Sequence, residues 1–157
     1  MKFVEVTPQE WLDGLVGVSE KAELRQARVQ VSDSRELDLY TLIAGWYQHV
    51  RKMRADLPLP DEDRSVWGVH DLLAALSLRD FVERGIGQLE AGLAETAGRA
   101  TGIADEEFLA YTEKDDSRIM EIVDDSITVG SEWWWERVPV SGPIRREIDA
   151  IRGRLTE

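Results

Sequence analysis

The sequence predicts an α+β fold that is mostly helical and forms a single domain over residues 1–157. Two long segments repeat apolar residues at helical spacing, and a shorter one of the same kind closes the chain. Short segments rich in β-branched and aromatic residues predict a small antiparallel meander at about residues 107–140. We expect the two long helices to pack together. An all-α bundle is the alternative, because runs this short do not separate a strand period from a helix period.

The first third of the chain predicts short elements followed by a long helix. Residues 2–6 are β-like, and residues 7–10 (TPQE) form a capping box that begins a short helix. Residues 20–30 predict a polar helix, with a strand as the alternative at its alternating end. The first long helix is predicted over residues 34–56, where prolines follow it. Its apolar stripe consists of Leu39, Leu42, Ile43, Trp46, Val50 and Met53.

A second long helix is predicted from about residue 65 to residue 97, and its apolar face changes near Ser77. Either the helix breaks there or it passes between two layers. Arg79 and Asp80 can each form an ion pair with the residue four positions further along the helix. These pairs lie on the face that is no longer apolar after Ser77, and we expect such pairs to be exposed to solvent. We therefore predict a break or kink near Ser77, and a linker over residues 98–104.

The segment at 107–140 contains the runs FLAYTE, RIMEIV, SITV and WWWERV, separated by turns rich in aspartate, serine or glycine. These runs predict the strands of the meander, with two or three short helices as the alternative. Pro143 then begins a C-terminal helix. The apolar seam of that helix consists of Ile144, Ile148, Ile151 and Leu155.

The composition excludes several classes of function. The chain has no cysteine, which excludes disulfides, cysteine-ligated metal sites and a cysteine nucleophile. No apolar run approaches the roughly 20 residues of a membrane span, and the first residues lack the apolar region of a secretory signal. A net charge of −12 disfavours nucleic acid and anionic membranes, whose phosphates attract lysine and arginine. We therefore expect a cytoplasmic protein that needs no cofactor.

Acidic residues concentrate in residues 105–136. This segment holds eleven acids and two bases, and so carries −9 of the formal −12. Folding brings these charges together, and a cation or a basic partner would relieve their repulsion. The acids expected to face such a partner are Asp115, Asp116, Asp124, Asp125, Glu132 and Glu136. Replacing the four aspartates by asparagine is expected to leave stability unchanged or to raise it.

Three consecutive tryptophans, Trp133, Trp134 and Trp135, end the acidic segment. Successive side chains alternate faces in a strand and fan around a helix, so the three cannot all fill one core. We expect at least one on an outer face, where tryptophan is enriched at binding hot spots. The alternative is that the C-terminal helix covers it. Because Glu132 and Glu136 flank the indoles, this surface suits a cationic partner.

Metal or acid–base chemistry has few candidate residues. Counted from Asp115, the fifth and twelfth positions of an EF-hand loop hold isoleucine and serine, so that spacing fails. An antiparallel pair of the long helices would bring His49, His70 and Asp71 together as metal ligands or as a general base. Two histidines in a chain of this length need no functional explanation, and we favour structural or surface roles for them.

Residues 67–76 (WGVHDLLAAL) resemble the second helix of the DinB-like helical bundles, in which a tryptophan precedes an apolar helix that bears a metal-binding histidine. Ala75 stands at the expected ligand position, and no histidine follows His70. The resemblance implies a helical bundle without the metal chemistry of that family.

The sequence therefore predicts a non-enzymatic acidic module that binds a basic protein, such as a toxin or nuclease, through carboxylates and tryptophan. One alternative is a small metal-dependent hydrolase or DinB-like helical protein that uses His49 and His70. The other is a structural module that self-associates through its tryptophans.

Overall fold

The computed structural model describes residues 6–156 and has an α+β fold that is mainly helical, which confirms the predicted fold class. Two small antiparallel sheets of two strands each accompany the helices. The helices are α1 (Pro8–Asp13), α2 (Val18–Gln26), α3 (Leu39–Asp56), α4 (Val69–Ile86), α5 (Ala91–Tyr111), α6 (Met120–Val123) and α7 (Gly142–Leu155). The strands are β1 (Arg28–Ser32), β2 (Arg35–Asp38), β3 (Thr112–Lys114) and β4 (Arg137–Pro139), and a 3₁₀ helix covers Trp133–Glu136.

The described residues divide into two compact units. The first unit comprises the residues up to His49 together with Leu78–Asp105, and the second comprises Val50–Ser77 together with the residues from Glu106 onward. Helices α3, α4 and α5 each contribute residues to both units. The single domain over residues 1–157 stays a prediction.

In the first unit, side-chain caps fix where the helices begin. The Thr7 hydroxyl accepts a hydrogen bond from the Glu10 amide at 3.1 Å, which confirms the N-terminal cap. Residues 28–38 form the β1–β2 hairpin, so the strand alternative for the end of residues 20–30 is correct. The first long helix therefore begins at Leu39 and not at Ser34, because Asp38 caps it by accepting the Thr41 amide at 2.9 Å. The predicted strand at residues 2–6 lies largely outside the described residues.

Helix α4 runs without interruption through Ser77, so the predicted break there is wrong. Its apolar face changes where the chain passes from one compact unit to the other, between Ser77 and Leu78. Arg79, which we expected in water, is only 5% exposed because a carboxylate of α5 neutralises it. The helix instead ends at Ile86, and the predicted linker over residues 98–104 is part of α5.

In the second unit, β3 pairs antiparallel with β4, but the other strands of the predicted meander are absent from the described residues. That part of the prediction is wrong, because α6 and the 3₁₀ helix occupy the segment between β3 and β4. Asp115 and Asp124 each bind the amide two residues further on, and such local bonds compete with strand pairing. The rival prediction of short helices is correct for this inner part of the segment.

Helix α7 confirms the predicted C-terminal helix. Ile144 and Ile148 are buried, whereas Leu155 at the end of the seam is 56% exposed. Gly142 precedes Pro143 with φ +90°, and a Cβ on it would lie 3.0 Å from the Leu57 Cα. None of the helices within residues 6–156 combines the length and the apolar character that crossing a bilayer requires.

Candidate binding surface of the second unit

The three tryptophans lie on the 3₁₀ helix, where successive side chains point about 120° apart. Trp134 and Trp135 are each 1% exposed, whereas Trp133 is 37% exposed. The expectation that at least one indole lies outside the core therefore holds for Trp133. Of the three indoles, Trp133 is therefore the one accessible at the surface, and Trp134 lies against it.

Trp133 is backed by other aromatic rings of the second unit. Its ring centroid lies 5.5 Å from that of Trp134 in an edge-on arrangement and 6.4 Å from that of Phe108. Phe108 in turn meets Tyr111 edge-on at 5.8 Å, and the Tyr111 hydroxyl donates to the Val50 carbonyl at 2.7 Å. Burial raises the pKa of Tyr111, so this hydroxyl remains a donor. An indole on such a support presents a fixed face.

Asp115, one of the acids expected to face a partner, is in fact 8% exposed. Its carboxylate accepts hydrogen bonds from the Ser117 hydroxyl at 2.6 Å and from the amides of Ser117 and Ile119 at 3.2 Å, and it pairs with Arg152 at 2.7 Å. Burial alone would raise the pKa of Asp115, but these bonds and the arginine charge outweigh it and lower the pKa. The side chain therefore organises the turn after β3 and is not available to a partner.

Asp124 and Asp116 have different surroundings. The Asp124 carboxylate accepts the Ser126 hydroxyl at 2.6 Å and the Ser126 amide at 2.9 Å, and these bonds lower its pKa, with a smaller contribution from the His70 charge. Asp116 is paired with Lys114 at 3.4 Å, and its side chain is 87% exposed. Asp124 thus closes a turn, whereas Asp116 lies in water beside a lysine.

The remaining acids flank the tryptophans. Glu136 pairs with Arg118 at 3.5 Å, and Arg118 also pairs with Glu121 at 2.6 Å. Asp125 and Glu132 are exposed and make no ion pair within residues 6–156. Of the six acids expected to face a partner, these two are the ones whose charge is least compensated.

Arginines from outside the acidic segment compensate several of its other acids. In the second unit Glu107 pairs with Arg51 and Arg54, at 3.2 and 3.5 Å, and Glu113 pairs with Arg145. Among the described residues, one Glu107 oxygen is buried without a hydrogen-bond partner. The self-repulsion that we expected an external cation to relieve is thus reduced by contacts within the chain.

In the first unit a buried cluster contains Asp105. Both Asp105 oxygens accept from Arg79 at 3.0 Å, and the Trp46 indole N–H donates to the same carboxylate at 2.8 Å. Burial alone would lower the pKa of Arg79, but Asp105 and Glu83 outweigh it and raise the pKa. These contacts join side chains of α3, α4 and α5 within the first unit and so hold the three helices in register.

The three residues of the alternative histidine cluster belong to different units, His49 to the first and His70 and Asp71 to the second. His49 lies in the first unit with its Nδ1 2.7 Å from the Gly45 carbonyl oxygen, and His70 is an exposed residue of the second unit. Asp71 accepts the Gly68 amide at 2.9 Å and so caps α4. No group of three or more histidines and carboxylates between residues 6 and 156 is arranged to hold a metal ion.

The second unit also contains a pocket of about 360 Å³ that the sequence reasoning missed. Its lining includes Trp67 and Pro143 together with three charged side chains, Asp61, Arg146 and Glu147. The acidic loop before Trp67 was visible in the sequence, but the α7 residues lie about eighty positions further along, so no local pattern connects them.

Comparison of the chain with protein-family models, curated proteins and solved structures finds no match. The function must therefore be argued from the residues themselves.

Proposed function

We propose that the protein binds a basic segment of another protein, such as a toxin or nuclease, with Trp133 as the anchor and Glu132 as the adjacent negative charge. The observation that carries the proposal is an indole 37% exposed, supported from behind by Trp134 and Phe108. The carboxylate next to it makes no ion pair among the described residues. Asp125 adds a second uncompensated charge to the same segment.

The chemistry of this surface suits a guanidinium or ammonium group. A cation over an indole face gains about 0.5–1 kcal/mol at an exposed site, and a neighbouring carboxylate adds roughly 0.2–1 kcal/mol. The supporting rings hold Trp133 in place, so little side-chain freedom is lost on binding. Acids elsewhere on the surface would increase the association rate in a salt-dependent way.

A fluorescently labelled hexa-arginine peptide tests the proposal by anisotropy. Trp133→Ala is expected to weaken binding by about fivefold and Glu132→Gln by about threefold, following the two contributions above. Glu95→Gln, an exposed acid of α5 in the first unit, removes the same charge and serves as the matched control. If Trp133→Ala and the unmodified chain bound the peptide with equal affinity, the proposed role of Trp133 as the anchor would be refuted.

Self-association is the second candidate, because an exposed indole can equally bind the same surface of a second copy. Light scattering over a concentration series separates the two. A dimer that dissociates in Trp133→Ala would favour self-association, whereas a monomer that binds the peptide favours a basic partner.

A further inference from the structure

The pocket beside Trp67 lies between the loop that precedes α4 and the first turns of α7. Trp67, Val66 and Pro143 form its apolar lining, and Asp61 and Glu147 supply carboxylates. Trp67 is half-buried, and its amide donates to the Asp56 carboxylate at 2.8 Å, which fixes the loop beside the pocket. The volume of about 360 Å³ is at the lower end of the range for small-ligand sites, so the pocket fits a small group.

The positive groups at this pocket are already used by the chain. Arg146 binds Asp61 at 2.7 Å and the Leu59 carbonyl at 2.9 Å. The first amide of α4, on Val69, donates to Glu147 at 2.9 Å, so an internal carboxylate occupies the anion position at this helix end. An anionic ligand would have to displace both contacts, which makes this pocket a poor anion site.

The negative groups, in contrast, keep unused capacity. Asp61 and Glu147 each use one carboxylate oxygen in the contacts above, and the second oxygen of each accepts no hydrogen bond within residues 6–156. The lining carries two carboxylates against one arginine, so its formal charge is −1. Gly68 allows this arrangement, because a Cβ there would lie 2.7 Å from a Glu147 oxygen.

We propose that this pocket binds an alkylammonium group, with the aliphatic stem against Trp67 and the ammonium at the unused oxygens of Asp61 and Glu147. An ammonium needs only acceptors, so two of its three N–H donors can bind the two oxygens while the third binds water. A stem of four or five methylenes covers apolar wall that would otherwise face water. The group can belong to a free amine or to a lysine side chain of a partner protein. This site is independent of the Trp133 surface.

NMR titration of the full chain tests the site through the amide of Gly68 and the indole N–H of Trp67. Pentylamine is the free-amine probe, and a blocked pentapeptide with one central lysine among glycines is the side-chain probe. Both are expected to shift these signals saturably. Pentanol, which has the same stem without the charge, is expected to bind at least about fivefold more weakly, since it lacks the ion pair.

Two substitutions assign the effect to the carboxylates. Glu147→Gln retains an oxygen for the Val69 amide and is expected to lower the affinity for pentylamine by about threefold. Adding Asp61→Asn should bring the loss of affinity to about tenfold. Asp149→Asn, on the same helix but outside the pocket lining, removes the same charge and is the matched control, with no change expected.

The outcomes decide both the site and the source of the ligand. Comparable affinity for peptide and pentylamine would support a lysine side chain, and binding of pentylamine alone would support a free amine. Pentanol binding as tightly as pentylamine, affinity unaffected by Glu147→Gln with Asp61→Asn, or no saturable shift with either probe would overturn the proposal. Signals that report unfolding of Glu147→Gln would move the test to Asp61→Asn, whose expected loss is also about threefold.

Discussion

The two neighbouring aspartates Asp115 and Asp116 give the sharpest test of how the acidic segment is stabilised. Asparagine at 115 keeps an oxygen for the Ser117 and Ile119 amides but loses the charged contact with Arg152 at 2.7 Å. Removing one partner from a buried ion pair costs about 3–5 kcal/mol, whereas an exposed pair contributes about 0.2–1 kcal/mol. Since the Arg152 side chain is 31% exposed, we expect a loss of roughly 1–2 kcal/mol, between those limits.

Alanine at 115 also removes the acceptor for the two amides. Losing a side-chain cap costs about 0.5–2 kcal/mol, so the total for Asp115→Ala should be roughly 2–4 kcal/mol. Asp116→Asn removes the same charge from a side chain that is 87% exposed, and it should change stability by less than about 0.5 kcal/mol. For Asp115 these contacts thus predict a loss of stability, whereas the sequence led us to expect that all four aspartates could become asparagine without loss.

Urea denaturation followed by tryptophan fluorescence measures these differences, because Trp134 and Trp135 are buried in the same unit. The pH dependence supplies a second measurement. The lowered pKa of Asp115 means that its contribution is complete above the ordinary value of 3.8 and is lost as the pH falls through the lower folded-state value. The gap between wild type and Asp115→Asn should therefore close in strong acid. Equal stabilities of Asp115→Asn and Asp116→Asn at neutral pH would refute the reasoning.

Two further predictions concern the first unit. Gly85→Ala should destabilise by about 1–3 kcal/mol, because a Cβ there would lie 2.7 and 2.9 Å from two core methyl groups. Gly98→Ala, which places a Cβ in open space within α5, should stabilise by roughly 0.5–1 kcal/mol. The denaturation midpoints of the two variants should therefore shift in opposite directions, and shifts in the same direction would contradict the packing at Gly85. Arg79→Met should cost about 3–5 kcal/mol by leaving Asp105 buried without its cation. Adding Asp105→Asn should recover part of that cost in thermal denaturation, and purely additive losses would argue against direct coupling.

Local sequence signals predicted the starts of α1 and α7 and the fold class. The cap at Thr7, the proline near the start of α7 and the apolar stripe of α3 all act within a few residues, so a linear pattern contains them. The change of apolar face along α4 was also visible in the sequence, but the packing that causes this change was not. A helix that is buried on different sides along its length needs two sets of neighbours, and the sequence does not state which segments provide them.

The candidate site was harder to predict, because its decisive contacts join distant residues. The sequence indicated that one of the three tryptophans would be exposed, but the choice of Trp133 depends on the 3₁₀ geometry. Asp115 and Asp116 are adjacent and chemically identical, yet of these two only Asp115 pairs with Arg152. The pocket beside Trp67 requires α7, which no pattern around Trp67 could indicate.

The ion pairs also change where the net charge lies. Residues 105–136 carry −9, but five arginines from outside the segment, on α3, α4 and α7, contact its acids, so the segment with these partners carries −9 + 5 = −4. Three of these arginines, Arg79, Arg145 and Arg152, also pair with Glu83 or Asp149 outside the segment. The segment is therefore less negative in the fold than its sequence indicates, and a partner that recognised acidity alone would have less reason to choose residues 105–136. Binding at the proposed surface would therefore depend on the Trp133 indole for its position. Added salt should slow association with a basic partner, because it screens the acids elsewhere on the surface.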